Sequence, residues 1–412
     1  MPMRTQTASP DKARSLVRLP GLRPLLAAEV TSTTGSQLTM LALPWLVLTT
    51  TGSPAKMGWV MAAELVPVAL LGAVGGTWAS RFGPRRWMIL SDLSRGLLIA
   101  AVPLLHLGGM LTLPVLLGLV FAIGLFTAPY LASQQTIIAD LLGEDEVILG
   151  RATSLLQGAV RTALLIGPPV AAGLIALLGA PAVLFINALT YLATALLIWC
   201  LVPAGPSAVP HSRAGRVADG WKILRRDRLL TSWTLGTVLT EAAWQALFVA
   251  IPVLAVTRYG GDVGVVGIVM GAFGAGAVGG SLLALWALKR YSAIALTNVG
   301  KVAQGLLFGL LLLHLSPWGL TACLLAAGLF NGLTNGPAAA VRLKRITPPL
   351  RPQTLTLISA ITVVGGSSGL ILGGVALDTL GEQPTMAGMV AAQSAGFILF
   401  LLGSRRSLRA TW

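Results

Sequence analysis

Twelve stretches of about 20 apolar residues, separated by short polar turns, fill almost the whole 412-residue chain. A helix of that length crosses the roughly 30 Å hydrocarbon core of a bilayer, where backbone N–H and C=O groups must find partners inside the protein. The chain is therefore read as an all-α membrane protein with 12 transmembrane helices. Only 10% of its residues are charged against 55% hydrophobic, so little is left over for a soluble catalytic domain. The expected spans are 25–49, 57–79, 87–107, 111–139, 152–178 and 183–202, then 229–256, 263–288, 294–315, 320–341, 355–377 and 386–402.

The second six spans repeat the first six. Ala42-Leu43-Pro44 returns as Ala250-Ile251-Pro252, and Gly52 with Gly58-Trp59-Val60-Met61 as Gly261 with Gly267-Ile268-Val269-Met270. Leu104-Leu105-His106-Leu107 returns as Leu312-Leu313-His314-Leu315, and Gly124-Leu125-Phe126 as Gly328-Leu329-Phe330. The 167–179 segment aligns with 369–381, and all five offsets lie between 202 and 209 residues. Fixed order and near-constant offset make this a duplication, with the same membrane orientation in both copies because six spans is an even number. The expected units are an amino-terminal six-helix bundle (1–202), a linker (203–228) and a carboxyl-terminal six-helix bundle (229–412). Within the linker, Gly220 to Arg226 fits either an amphipathic surface helix with its arginines toward anionic headgroups or a flexible basic connection.

A net charge of +15 raises the question of nucleic acid, and the distribution of the charge answers it. Of the 29 Lys and Arg residues, all but Lys56, Arg258, Arg161 and Lys301 fall in the tails or in turns on one side of the membrane. That is the positive-inside pattern, so both termini are placed in the cytoplasm and no nucleic-acid partner is expected. The first twenty residues lack a short apolar run with a cleavage site, so the first span itself is expected to act as the insertion signal. Cys200 and Cys323 sit in apolar stretches and read as small buried hydrophobes. His106, His211 and His314 have no carboxylate or cysteine neighbours at ligand spacing, so no metal and no catalytic residues are expected. The chain also lacks a Gly-x-x-x-x-Gly-Lys-Ser/Thr phosphate loop, and it is read as neither an ATPase nor any other enzyme.

Between spans two and three stands Gly76-Thr77-Trp78-Ala79-Ser80-Arg81-Phe82-Gly83-Pro84-Arg85-Arg86, followed by Asp92 and Arg95. This resembles the signature of the major facilitator superfamily, and the Ala287-Leu288-Lys289-Arg290 turn resembles its degraded second copy. The resemblance implies an inner gate of Gly76, Arg81, Gly83, Arg85, Arg86, Asp92 and Arg95. Ser80 stands where the family has an acid, and Asp92 is expected to partner Arg81 or Arg95 in its place. The plainer reading of Arg85 and Arg86 is that they only anchor the turn. Gly167, Pro168 and Gly173 in span five resemble part of the glycine-proline motif of the exporter branches, with a kink and a small face set against the other half. Thr51-Gly52-Ser53 and the run from Thr136 to Leu141 resemble bacterial efflux permeases for drugs and siderophores.

Charge inside a bilayer costs roughly 2.5 to 3.5 kcal/mol per residue on insertion scales, so each such residue needs a partner or a task. Glu64, Arg161, Glu241 and Lys301 lie in mid-span with balanced signs. Glu64 pairing with Arg161 and Glu241 with Lys301 is one reading; a proton-carrying role for Glu64 or Glu241 is the other. Glu29 heads a stripe of Thr33, Ser36 and Gln37 at helical spacing. In the superfamily, spans one, four, seven and ten line a central cavity. By that resemblance the cavity wall is Glu29, Gln37, Tyr130, Gln134, Glu241, Trp244, Gln245, Asn331 and Asn335, which suits an amphipathic substrate, cationic ones included.

The expectation is a secondary active exporter of a small drug-like or natural compound, a monomer in the bacterial inner membrane. It works by alternating access as a proton antiporter, with no cofactor and the proton gradient as energy source. Uptake permeases and lipid, lysolipid or siderophore transporters of the same fold are the nearest alternatives; a non-transporting scaffold or sensor is the distant one.

Overall fold

The computed structural model describes residues 21–142, 146–203 and 217–409, without the side chains of 72–82, 146–147, 217–219, 406–409 and a few single positions, Arg161 among them. Twelve long helices occur among them, with no strand: α1 (Leu22–Thr51), α2 (Pro54–Phe82), α3 (Pro84–Leu107), α4 (Leu113–Leu142), α5 (Glu146–Leu178) and α6 (Ala180–Leu201) precede a short α7 (Val217–Arg226). The second set is α8 (Arg228–Arg258), α9 (Val263–Ala287), α10 (Ala293–Leu310), α11 (Pro317–Arg345), α12 (Arg351–Thr379) and α13 (Glu382–Arg409). Side-chain caps fix several starts: Ser53, Asp227, Asp262, Ser292 and Ser316 each accept a hydrogen bond from a first-turn backbone N–H.

Among the described residues, nine of the long helices are long and apolar enough to cross a membrane; in α5 the apolar run among those residues is Leu165–Leu178, and α1, with its polar stripe, and α11, with Asn331, Asn335 and Arg342, are less apolar. A helix can hold such residues only where protein or water, not lipid, faces them. The tenth helix is shorter than its expected span: α10 stops at Leu310, and tight bonds from Leu311 N to Phe308 O and from Leu312 N to Gly309 O turn the chain toward Ser316.

Helix packing repeats between the halves. In the first, α1 packs on α5 and α6, α2 on α4, and α3 on α4 and α6. In the second, α8 packs on α12 and α13, α9 on α11, and α10 on α11 and α13. Two larger contacts cross between the sets, α2 with α12 and α5 with α9, and these are also equivalent to each other.

The repeated glycines mark these places. A Cβ on Gly124 would lie 2.3 Å from the Glu64 carbonyl, and one on Gly328 would lie 2.1 Å from that of Phe273, so each lets α4 or α11 press against its neighbour. A Cβ on Gly58 would meet the Leu370 carbonyl at 2.3 Å, and one on Gly267 would meet Ala172 at 2.3 Å, so this second pair brings the two sets together. Gly179 and Gly381 hold turns at φ +81° and +83°, a conformation costly for other residues.

Buried apolar residues are distributed unequally between the two ends. At the end away from the chain termini, one cluster joins both sets, including Leu41, Val47, Val60 and Ala171 with Leu247, Val253, Val266 and Leu370. At the basic, terminal end, the clusters stay separate: Leu22, Met88, Ile137 and Ile198 in the first set, Leu229, Trp233, Val341 and Phe400 in the second. At the far end Ser53 Oγ also donates 2.8 Å to Asp378, from α2 to α12.

Of the linker, 217–226 forms helix α7, and 204–216 lies outside the described residues. Its buried face, Gly220 and Leu224, packs on the start of α12 and on Leu230 and Ile346. Trp221, Lys222, Arg225 and Arg226 are exposed, with the Arg225 guanidinium 4.9 Å from the Trp221 ring. Cys323 is buried as expected, but Cys200 is exposed at the end of α6, where a small apolar side chain suits a lipid-facing surface.

Candidate functional site

The first set encloses a polar network deep among its apolar side chains. Glu29 of α1 has no exposed surface, and its carboxylate accepts from the Tyr130 hydroxyl at 3.1 Å and from Gln134 Nε2 at 2.5 Å, both on α4. Beside it, Arg95 and Asp92, one turn apart on α3, form a buried ion pair. The Arg95 guanidinium lies 4.1 Å from the Tyr130 ring centre and 4.6 Å from that of Tyr191 on α6. Cation–π contact on two rings offsets part of the lost hydration of the guanidinium. Ser36 meets the Tyr191 hydroxyl at 3.0 Å, so the network ties α1, α3, α4 and α6 together.

The second set is built differently. Glu241 of α8 accepts 3.2 Å from Gln245, one turn on, and packs beside Gly366 of α12. Arg342 of α11 donates 2.8 Å to Thr237 of α8. Asn335 donates 2.9 Å to Asn331, and both retain exposed surface. Lys301 of α10 is nine-tenths buried, and among the described residues its only partner is the Phe400 ring at 5.4 Å. Trp244 is buried in an aromatic cluster with Phe248, Phe273 and Phe308.

This duplicated packing is matched by sequence: residues 25–369 fit the profile of the Major Facilitator Superfamily. The chain belongs to that superfamily. It is thus a multi-pass membrane transporter that handles small-molecule substrates, and not an enzyme. An MFS-type transporter, y4rN, of Sinorhizobium fredii is 24% identical over 93% of this chain and 95% of its own length. The multidrug efflux pump Tap of Mycobacterium tuberculosis is 24% identical over 88% of each chain. A crystal structure of a bacterial homolog to the human lysosomal transporter Spinster, inward-facing and unoccupied, superposes with a TM-score of 0.74 at 14% identity. That match covers 98% of this chain and 99% of that one, and it supports the fold.

Several residues assigned from the superfamily resemblance sit elsewhere. Of the nine cavity-wall residues, Gln134, Glu241, Gln245, Asn331 and Asn335 keep accessible surface. Glu29, Gln37, Tyr130 and Trp244 are instead buried within their own bundles, because each polar side of α1, α4 and α8 also has neighbouring helices to face. Gln37 fills the space left by Gly167, whose Cβ would lie 2.4 Å from it. The expected pairs are not formed as drawn. Glu241 and Lys301 make no ion pair among the described residues; Glu64 lies within electrostatic reach of Arg95, and the Arg161 side chain is outside those residues.

The inner-gate assignment divides. Gly76 and Arg81 fall on side chains outside the described residues. Gly83 sits at φ +80° between α2 and α3, Arg85 donates 2.5 Å to the Trp199 carbonyl, and Arg86 is exposed. Asp92 and Arg95 belong to the bundle interior, since α3 turns them toward α4 and α6 rather than toward the loop. In α5, Pro168 and Pro169 do meet α9, but Gly173 faces open space and the glycines at the contact are Gly267 and Gly271. Sequence reasoning missed Tyr191, Thr237 and Arg342 as site members. Arg342 was counted only as a basic-turn residue, and no sequence signal showed that its side chain turns back along α8.

Proposed function

We propose that this transporter is a proton-driven exporter of small amphipathic compounds, working by alternating access in a bacterial inner membrane with both termini cytoplasmic. The observation that carries it is the lopsided core: the halves share one apolar seal at the far end and keep separate cores at the basic end. A cleft open toward the basic end follows, which by the positive-inside rule is the cytoplasmic side. Relocating the seal to the other end would release a bound compound outward. The efflux named for the relative Tap supports this substrate class and direction.

Glu29 is the proton carrier in this reading. Its two donors belong to a different helix, α4, and a carboxylate whose donors shift between states can take a proton in one and release it in the other. Proteoliposomes with an imposed pH gradient and rhodamine 123 test this, with Glu29→Gln, Glu64→Gln and Glu241→Gln beside the parent. The gradient should drive dye movement by the parent and not by Glu29→Gln, which should still bind dye. A gradient that moves nothing, or a Glu29→Gln variant equal to the parent, rules out this mechanism.

A further inference from the structure

The turn after α9 carries the degraded second copy of the superfamily signature, and the export reading gives it no task. One apolar face of α9 keeps accessible surface from end to end: Ile268, Ala272, Ala275, Gly279, Leu282 and Trp286 follow each other at steps of four and three residues. At the far end Val266 and Val269, on other sides of the helix, belong to the seal that joins the halves. Ile268 is nonetheless 47% exposed between them, so this face points out of the protein rather than into the cleft. On a membrane protein such a face meets acyl chains. Its basic end is marked by cations. Tight bonds from Leu288 N to Ala284 O and from Tyr291 N to Ala287 O carry the twist past Ala287, which puts exposed Lys289 and Arg290 next in the same series. The Arg290 guanidinium lies 4.7 Å from the Trp286 ring centre, and indoles favour the level between acyl chains and headgroups. Neither cation has a carboxylate partner among the described residues.

We propose that Lys289 and Arg290 form a headgroup site for an anionic phospholipid whose acyl chains lie along the exposed face of α9. The two free oxygens of a phosphodiester suit the fork of a guanidinium and the point charge of an ammonium, and an anionic headgroup brings no cation of its own to compete for them. Occupied, the site ties the basic end of α9 to the headgroup layer, while Gly267 and Gly271 hold the other end of the same helix against α5. Lipid composition then bears on a helix that joins the two halves, whatever the direction of transport.

Native mass spectrometry of the purified full chain, delipidated in a neutral detergent, reads the binding directly. The probes are phosphatidylglycerol and phosphatidylcholine with the same dioleoyl chains. The parent should bind its first phosphatidylglycerol about thirtyfold more tightly than phosphatidylcholine, roughly the worth of two basic residues beside an anionic surface. Lys289→Gln/Arg290→Gln should erase that difference and leave phosphatidylcholine unchanged. The charge-keeping Lys289→Arg/Arg290→Lys should bind as the parent does, and Trp286→Leu, which removes the ring beside Arg290 but keeps apolar bulk, should fall between. Equal binding of the two lipids by the parent, or a preference that the double Gln variant keeps, overturns the site. So does loss of both lipids together in that variant, which is the mark of misfolding rather than of a lost headgroup contact. Displacement of the lipid by equimolar glycerol 3-phosphate would make this a site for free phosphate, and an equal loss in Arg225→Gln/Arg226→Gln would move it to α7; either result overturns the proposal.

Discussion

Arg95 shows how much one side chain can carry here. It neutralises Asp92 and rests on two tyrosine rings, one of which also donates to Glu29. Arg95→Ala would leave the Asp92 carboxylate buried without a counter-charge, a loss of about 3–5 kcal/mol by the usual cost of breaking a buried pair. Thermal unfolding in detergent should show a large fall in Tm for Arg95→Ala. A partial recovery is expected when Asp92→Asn is added, since the uncompensated charge is then gone. Tyr130→Phe keeps the ring under Arg95 and removes the hydroxyl from Glu29. It should therefore change proton coupling in the pH-gradient assay more than it changes Tm. The converse result would make Tyr130 a packing residue only.

At the scale of elements, the contacts α2–α12 and α5–α9 set the spacing of the halves at the far end, and each depends on a glycine. Gly58→Leu places a side chain where the Leu370 carbonyl stands, and overpacking of this kind typically costs about 1–3 kcal/mol. Its expected effect is to push the far end apart. With Cys200 and Cys323 replaced by Ser and a reporter Val47→Cys in the shared core, a membrane-impermeant thiol reagent should label the Gly58→Leu protein faster than its parent. Unchanged labelling would mean that the seal does not depend on this contact. At the other end, Asp227 caps α8 through Leu229 N and Leu230 N and pairs with Arg345 at 3.0 Å. Asp227→Ala should lower stability by about 1 kcal/mol, chiefly through the cap, and Arg345→Ala by less, because the pair is partly exposed.

For the whole molecule, alternating access requires the far end to open. Ser53 Oγ and Asp378 Oδ2 are 2.8 Å apart, so cysteines at both positions can be bridged across the start of α2 and the end of α12 by a short bis-methanethiosulfonate. In the Cys200→Ser, Cys323→Ser background, bridging Ser53→Cys/Asp378→Cys should stop transport, reductant should restore it, and dye binding from the basic side should persist. A cross-linked protein transporting at the parent rate would show that the far end does not have to part.

Membership of this fold was legible in the sequence because the bilayer reduces the problem to one dimension: apolar length makes spans, charge asymmetry orients them, and a duplicated gene leaves its anchors in register. Two glycine pairs of the repeat, Gly58 with Gly267 and Gly124 with Gly328, lie where a Cβ would collide with a facing helix, while Gly52, Gly179, Gly261 and Gly381 hold turns at positive φ. Site residues were less legible. The stripe of α1 showed that Glu29 must avoid lipid, yet a polar face satisfies that rule equally well against a cavity or against a neighbouring helix. Which of the two it meets depends on helix rotation and on contacts between residues a hundred positions apart, such as Glu29 with Tyr130. The same holds for Arg95, drawn inward by two tyrosines, and for Lys301, which sits near an acid without touching it. Composition and spacing therefore determined the span pattern and the orientation reading, while tertiary packing alone decided which end is sealed and which charges are paired.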